Sequence, residues 1–221
     1  MITNRRLFIG IPLAAIAAAI GILGVLQWRS NRVVVEVGFW FDGVTFEMSP
    51  LDVQQLGGPV TDDEKAMIRE VALNELRTAY SKLRVRLTDN RKAYYRIRVV
   101  QGPLEDASKM SRGASGQTTA MGPMGGDSTV SYLVSVRGAF AYAPAGATRR
   151  DILEGIGRGV GRTAVHELGH QLLGSQSAHG NDERSYEYGS PDRIGQYYGP
   201  IHWDTAWAPL EKRLGLPGRI D

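Results

Sequence analysis

His166, Glu167 and His170 have the types and spacing to activate water on a metal ion. The two histidines are four apart, so on a helix their imidazoles share one face, one turn from each other, and can grip a single cation. Glu167 stands beside them, where a carboxylate can take a proton from a water that the cation polarises. Zinc suits this set, because it binds neutral imidazole nitrogen, keeps an open coordination position in hydrolytic sites and acidifies water. The chain has four histidines, and three of them, His166, His170 and His179, fall within fourteen residues.

A five-residue pattern with three fixed letters also arises by chance, with solvated or structural side chains. The surroundings weigh against that. Ala164, Val165, Leu168, Leu172 and Leu173 are apolar and at helical spacing, which places the motif on a buried helix. Gly174 follows where a left-handed cap would end that helix. Upstream, Ile152, Ile156, Val160, Ala164, Leu168 and Leu172 recur every four residues, and Thr148-Arg-Arg-Asp151 is a capping box. Gly155, Gly157, Gly159 and Gly161 interrupt this helix at about 1 kcal/mol each relative to alanine. Either something packs closely against them or the helix begins later.

Beyond Gly174 the chain reads His179-Gly-Asn-Asp182-Glu183-Arg-Ser185-Tyr186-Glu187-Tyr188. Together with His166-Glu167-Leu-Gly-His170, this resembles the metzincin superfamily of zinc endopeptidases, whose helix motif is followed by a third histidine and a turn with a methionine beneath the metal. The His, Asp, Ser and final Tyr match in register the H-S-x-D-x-x-S-x-M-Y stretch of matrix-metalloprotease-like members. The resemblance implies Zn2+ held by His166, His170 and His179, with Glu167 as the catalytic base. Two departures stand out. His179 lies nine residues after His170 where the family has six, which needs a three-residue insertion around 174–178. Glu187 replaces the methionine, where it could coordinate, bond a ligand histidine or point to solvent. Asp182, Glu183 and Glu187 remain alternative carboxylate ligands to His179. Tyr188 does not match the spacing of the family's transition-state tyrosine, and His202 reads as structural.

Residues 1–32 form a separate segment. A short basic stretch with Arg5 and Arg6 precedes Leu7–Trp28, which is apolar, free of charge and long enough to cross a hydrocarbon core of about 30 Å. It reads as an uncleaved single-span anchor, with the remaining domain outside the cytoplasm, or secreted if residues 1–32 are cleaved. Asn4–Ile9 also resembles a twin-arginine export signal. The formal net charge of +3 comes from this end: its four arginines removed, 22 basic residues face 23 acidic ones, a net of −1. A near-neutral body gives no argument for nucleic acid. No cysteine is present, so neither disulfide nor thiolate enters the argument.

Residues 33–221 read as one α+β zinc metallopeptidase-like domain with a mostly parallel sheet. Arg32–Phe41, Val85–Thr88 and Tyr94–Val100 are strands by their β-branched and alternating residues, and Thr45–Met48 extends the first. Pro50–Pro59 is loop. Thr61-Asp-Asp-Glu64 caps a helix with Ile68, Ala72, Leu76, Ala79 and Leu83 on its buried side. Residues 102–128 are a long Gly/Ser/Met-rich loop. Ser131–Val136 reads as a strand, and as the edge to which a peptide would add. A closing helix follows Pro209. The expected function is a membrane-tethered zinc endopeptidase acting on a peptide or protein substrate. The alternative is a catalytically silent binding module at the cell surface.

Overall fold

The computed structural model describes residues 34–102, 115–120, 125–174 and 179–215. The expected membrane anchor and the expected insertion at 175–178 lie outside them. Among the described residues no helix is long and apolar enough to cross a membrane.

Five strands, β1 (Val35–Phe41), β2 (Val85–Thr88), β3 (Tyr95–Val100), β4 (Gly116–Ala120) and β5 (Gly126–Ser131), form one sheet in the order β2-β1-β3-β5-β4. All pairings are parallel except β4 with β5. Five helices accompany them among the described residues: α1 (Pro50–Leu56), α2 (Asp62–Ala79), α3 (Tyr132–Ala141), α4 (Arg149–Leu173) and α5 (Trp207–Leu214). The class is α+β, with a mostly parallel sheet.

The core lies between sheet and helices. Val37, Ile97, Val99 and Val130 from the strands meet Ile68, Ala72 and Leu76 of α2 and Ile156, Val160, Ala164 and Leu168 of α4, all fully buried. The opposite sheet face carries the alternate residues, with Arg96 paired to Asp127 at 2.9 Å and Arg98 bonded to Thr129 at 3.1 Å. The arginines thus occupy the solvated face that their alternation implies.

Strands β2 and β3 are not neighbours, because β1 lies between them. Val35–Gly38 pairs with β2, and Val37–Phe41 pairs with β3. The short link between β2 and β3 crosses the face of β1 at Gly38. A Cβ there would sit 2.4 Å from the Asn90 carbonyl oxygen, so only glycine admits the crossing.

Four expectations are corrected. Thr45–Met48 is irregular rather than strand: Phe46 is left-handed at φ +63°, and the Gln101 side chain bonds the Thr45 and Phe46 amides and the Glu47 carbonyl in place of a ladder. The Pro50–Pro59 loop contains α1, started by Ser49 as N-cap with proline at the first turn. Residues 102–128 contain β4 and the start of β5. Ser131–Val136 is the beginning of α3, with Ser131 closing β5 and capping the helix. The β-branched Val134 and Val136 fit a strand locally, but burial against α4 fixes the segment as helix.

The helix α4 begins where its capping box does. Thr148 and Asp151 exchange both bonds, and Gly174 ends it at φ +66°. Its glycines have close neighbours. A Cβ on Gly157 would lie 2.7 Å from Val71, and one on Gly161 2.6 Å from the Ala72 carbonyl, so α2 and α4 touch nearly backbone to backbone. On the other side Tyr198 fills the space at Gly155 and Tyr197 that at Gly159. Arg149 ties the start of α4 to Glu64 at 2.6 and 2.8 Å and to the carbonyls of Leu56, Gly58 and Pro59.

Candidate metal centre

The last two turns of α4 present His166 and His170, and the segment after Gly174 brings His179 to them. Nε2 of His170 lies 3.0 Å from Nε2 of His166 and 3.2 Å from Nε2 of His179. The three donor atoms all fall within 4.8 Å of one another. A tetrahedral ion with Zn–N bonds of about 2.0–2.1 Å spaces its nitrogens about 3.3 Å apart, so the set fits such an ion. Nδ1 of His166 donates to the Tyr186 carbonyl at 2.7 Å, which leaves its Nε2 lone pair facing the other two rings. Burial, with His170 beside it, pushes the His166 pKa down to about 3 and keeps the ring neutral, as a metal ligand must be. His170 is buried, His166 half-buried and His179 exposed, so the centre opens toward solvent on the His179 side.

The turn that carries the Tyr186 carbonyl is held from several sides. The Tyr186 amide donates to the His202 carbonyl at 2.9 Å, and its ring packs on Trp203 with centroids 5.0 Å apart. Buried Arg193 donates to the carbonyls of Glu183 and Ser185 and lies over the Tyr188 ring. Gly189 passes against His179, where a Cβ would stand 2.9 Å from Nδ1. Arg162, buried in α4, reaches Glu75 of α2 and the carbonyls of Gly195 and Gly199, which fixes the chain just beyond.

Two of the three acids near the turn, Glu187 and Asp182, have other partners. Glu187 is buried, and its carboxylate accepts the amides of Asp204 at 2.9 Å and Ala206 at 2.7 Å. It binds backbone, rather than a ligand histidine or solvent. Asp182 accepts the Arg184 amide and faces His202 Nε2 at 3.0 Å. Glu183 is exposed. His202 lies outside the histidine cluster.

Glu167, the residue after His166, is buried. Its Oε2 lies 2.5 Å from the Thr118 hydroxyl on β4, and burial raises its pKa to about 7, with the Thr118 bond acting against that shift. Gly116, two residues earlier on the same strand face, packs so closely that a Cβ would stand 2.5 Å from Glu167 Oε1. Among the described strands β4 pairs only with β5, which makes it an edge strand among them.

Sequence reasoning missed Gly116, Thr118, Ser128, Gln171, Gly189, Arg162 and Arg193. Two signals existed. Gln171 follows Glu167 by four residues and shares its helix face, and Gly116/Thr118 and Gly126/Ser128 both alternate with period two. Searches among models of known protein families and among curated proteins returned no match for this chain.

Proposed function

We propose that residues 33–221 form a metzincin-like zinc endopeptidase, tethered at a membrane by residues 7–28 and facing away from the cytoplasm. The observation that carries this reading is the convergence of three imidazole nitrogens at the helix that also carries the buried Glu167. His166, His170 and His179 would hold the ion. Zn2+, when bound there, supplies Lewis acidity and lowers the pKa of water.

The protein's own groups do the rest. An extended peptide adds to the edge of β4, which runs beside Glu167, through main-chain hydrogen bonds. The strand for this role is Gly116–Ala120, in place of the Ser131–Val136 segment expected from sequence. Glu167 takes a proton from the attacking water and returns it to the leaving amine nitrogen. Its carboxylate sits in a dry, fixed position, so little reorganisation accompanies the transfer.

The silent-module alternative drew its support from Glu187 and from the shifted third histidine. In the structure Glu187 binds backbone amides and His179 reaches the cluster, and peptide turnover decides between the two readings. Purified residues 33–221 with a mixed peptide library test the proposal. Glu167→Ala keeps one zinc per chain and loses about 10²–10⁴-fold in turnover, whereas His166→Ala loses metal and turnover together. Wild-type cleavage by Glu167→Ala overturns the mechanism, and zinc without any wild-type cleavage favours the silent module.

A further inference from the structure

We propose that Thr118 is a positioning residue for Glu167, and that it ends a one-way hydrogen-bond relay running from Gln171 through Ser128 and Thr118 to the carboxylate. The inference rests on the peptidase reading, in which Glu167 is the base.

The direction of the relay follows from its two ends, the Arg96 carbonyl and the ionised Glu167 carboxylate. The Arg96 carbonyl can only accept, so the Gln171 amide nitrogen, 2.9 Å away, must donate to it. The same nitrogen turns its second hydrogen to Ser128 Oγ at 2.5 Å. Ser128 accepts there, and because an ionised Glu167 can only accept, Thr118 donates to the carboxylate and Ser128 gives its own hydrogen to Thr118 Oγ1 at 2.8 Å. Thr118 is left with one hydrogen, and its nearest acceptor is Glu167 Oε2 at 2.5 Å, ahead of the Glu167 main-chain oxygen at 3.2 Å. Turning the Gln171 amide over would set two acceptors against each other at Arg96. Gln171 and Ser128 are fully buried and Thr118 nearly so, which keeps water from replacing any link.

The partners come from three elements. Gln171 lies one turn beyond Glu167 on α4, Ser128 is on β5 and Thr118 on β4. Gly116 completes the cradle, because any side chain there would collide with Oε1. The carboxylate is thus fixed from one side by a donor and on the other by a bare Cα. Small displacements of a reacting group cost large factors in rate, so this restraint acts on the chemical step. The Thr118 hydroxyl points inward to Glu167, away from the β4 edge that would receive substrate, so its loss should leave substrate binding in place.

Two measurements on residues 33–221 test the inference. In zinc-loaded enzyme, Thr118→Val lowers kcat by about 10-fold or more with KM and zinc content within about 2-fold, and Thr118→Ser restores most of it. A kcat equal to wild type, a loss carried by KM, or no rescue by serine overturns it. In metal-free protein, Thr118→Val lowers Tm by several degrees in the wild-type background and by less than about a third as much in Glu167→Ala. Equal shifts in both backgrounds overturn the relay even if no peptide is cleaved. A wild type without turnover, beside a non-additive cycle, sinks the peptidase reading and the positioning role for Thr118 together, and leaves only the contact.

Discussion

The carboxylate of Glu187 accepts the backbone amide of Ala206 at 2.7 Å and that of Asp204 at 2.9 Å. It stands where the metzincin pattern has a methionine, yet it serves as a main-chain acceptor for the turn into α5. Glu187→Met would leave the buried Ala206 amide without a partner, at roughly 1–3 kcal/mol for a buried unsatisfied group, while the Asp204 amide is nearer solvent. The variant should therefore lose Tm while still binding one metal ion per chain. Thermal melts with metal analysis check this, and Glu187→Gln, which keeps one acceptor oxygen, should lose less.

Arg193 supports the centre through backbone, and its charge adds to burial in lowering the His166 pKa. It holds the carbonyls of Glu183 and Ser185, next to the Tyr186 carbonyl that orients His166. Arg193→Ala should weaken metal binding by about 10-fold, as removal of a ligand's outer partner commonly does. Competition with a chelator of known affinity measures it, and unchanged affinity would strip Arg193 of this role.

Gly161 tests the contact between α2 and α4. In an open helix, glycine to alanine gains about 1 kcal/mol. Here the new Cβ would meet the Ala72 carbonyl oxygen at 2.6 Å, in backbone that cannot move aside as a side chain would. Overpacking costs about 1–3 kcal/mol, so Gly161→Ala should lower stability instead of raising it. Denaturant unfolding of the two proteins decides the sign.

The Glu64–Arg149 pair makes stability depend on acid. The Arg149 guanidinium, against burial acting the other way, holds the Glu64 carboxyl at about 2, below its ordinary 4.5. A depressed folded pKa means the unfolded state binds the proton first as pH falls. The pair's contribution is complete above pH 4.5 and lost between there and about 2. The stability difference between wild type and Glu64→Gln should be flat from pH 7 to 5 and shrink below 4.5. A difference that grows in acid would contradict this.

Sequence alone determined the elements whose signals are local. The helix α4, its capping box, its glycine end and the placing of His166 and His170 on one face, with Glu167 on the adjoining face, all follow from spacing along one helix. The capped α2 and the β-branched β1 and β3 are legible for the same reason. Tertiary structure decided what depends on distant partners. Strand β4 begins on a glycine that weakens its local strand signal, because Gly116 must make room for Glu167, which is far away in sequence. The Val134–Val136 run becomes helix because its buried side meets α4. Glu187 could be read as a ligand, an outer partner or a solvated acid until Asp204 and Ala206 supplied amides to its carboxylate. Local periodicity encodes which face of an element is buried, while the groups that meet across that face are fixed only once the chain has closed on itself.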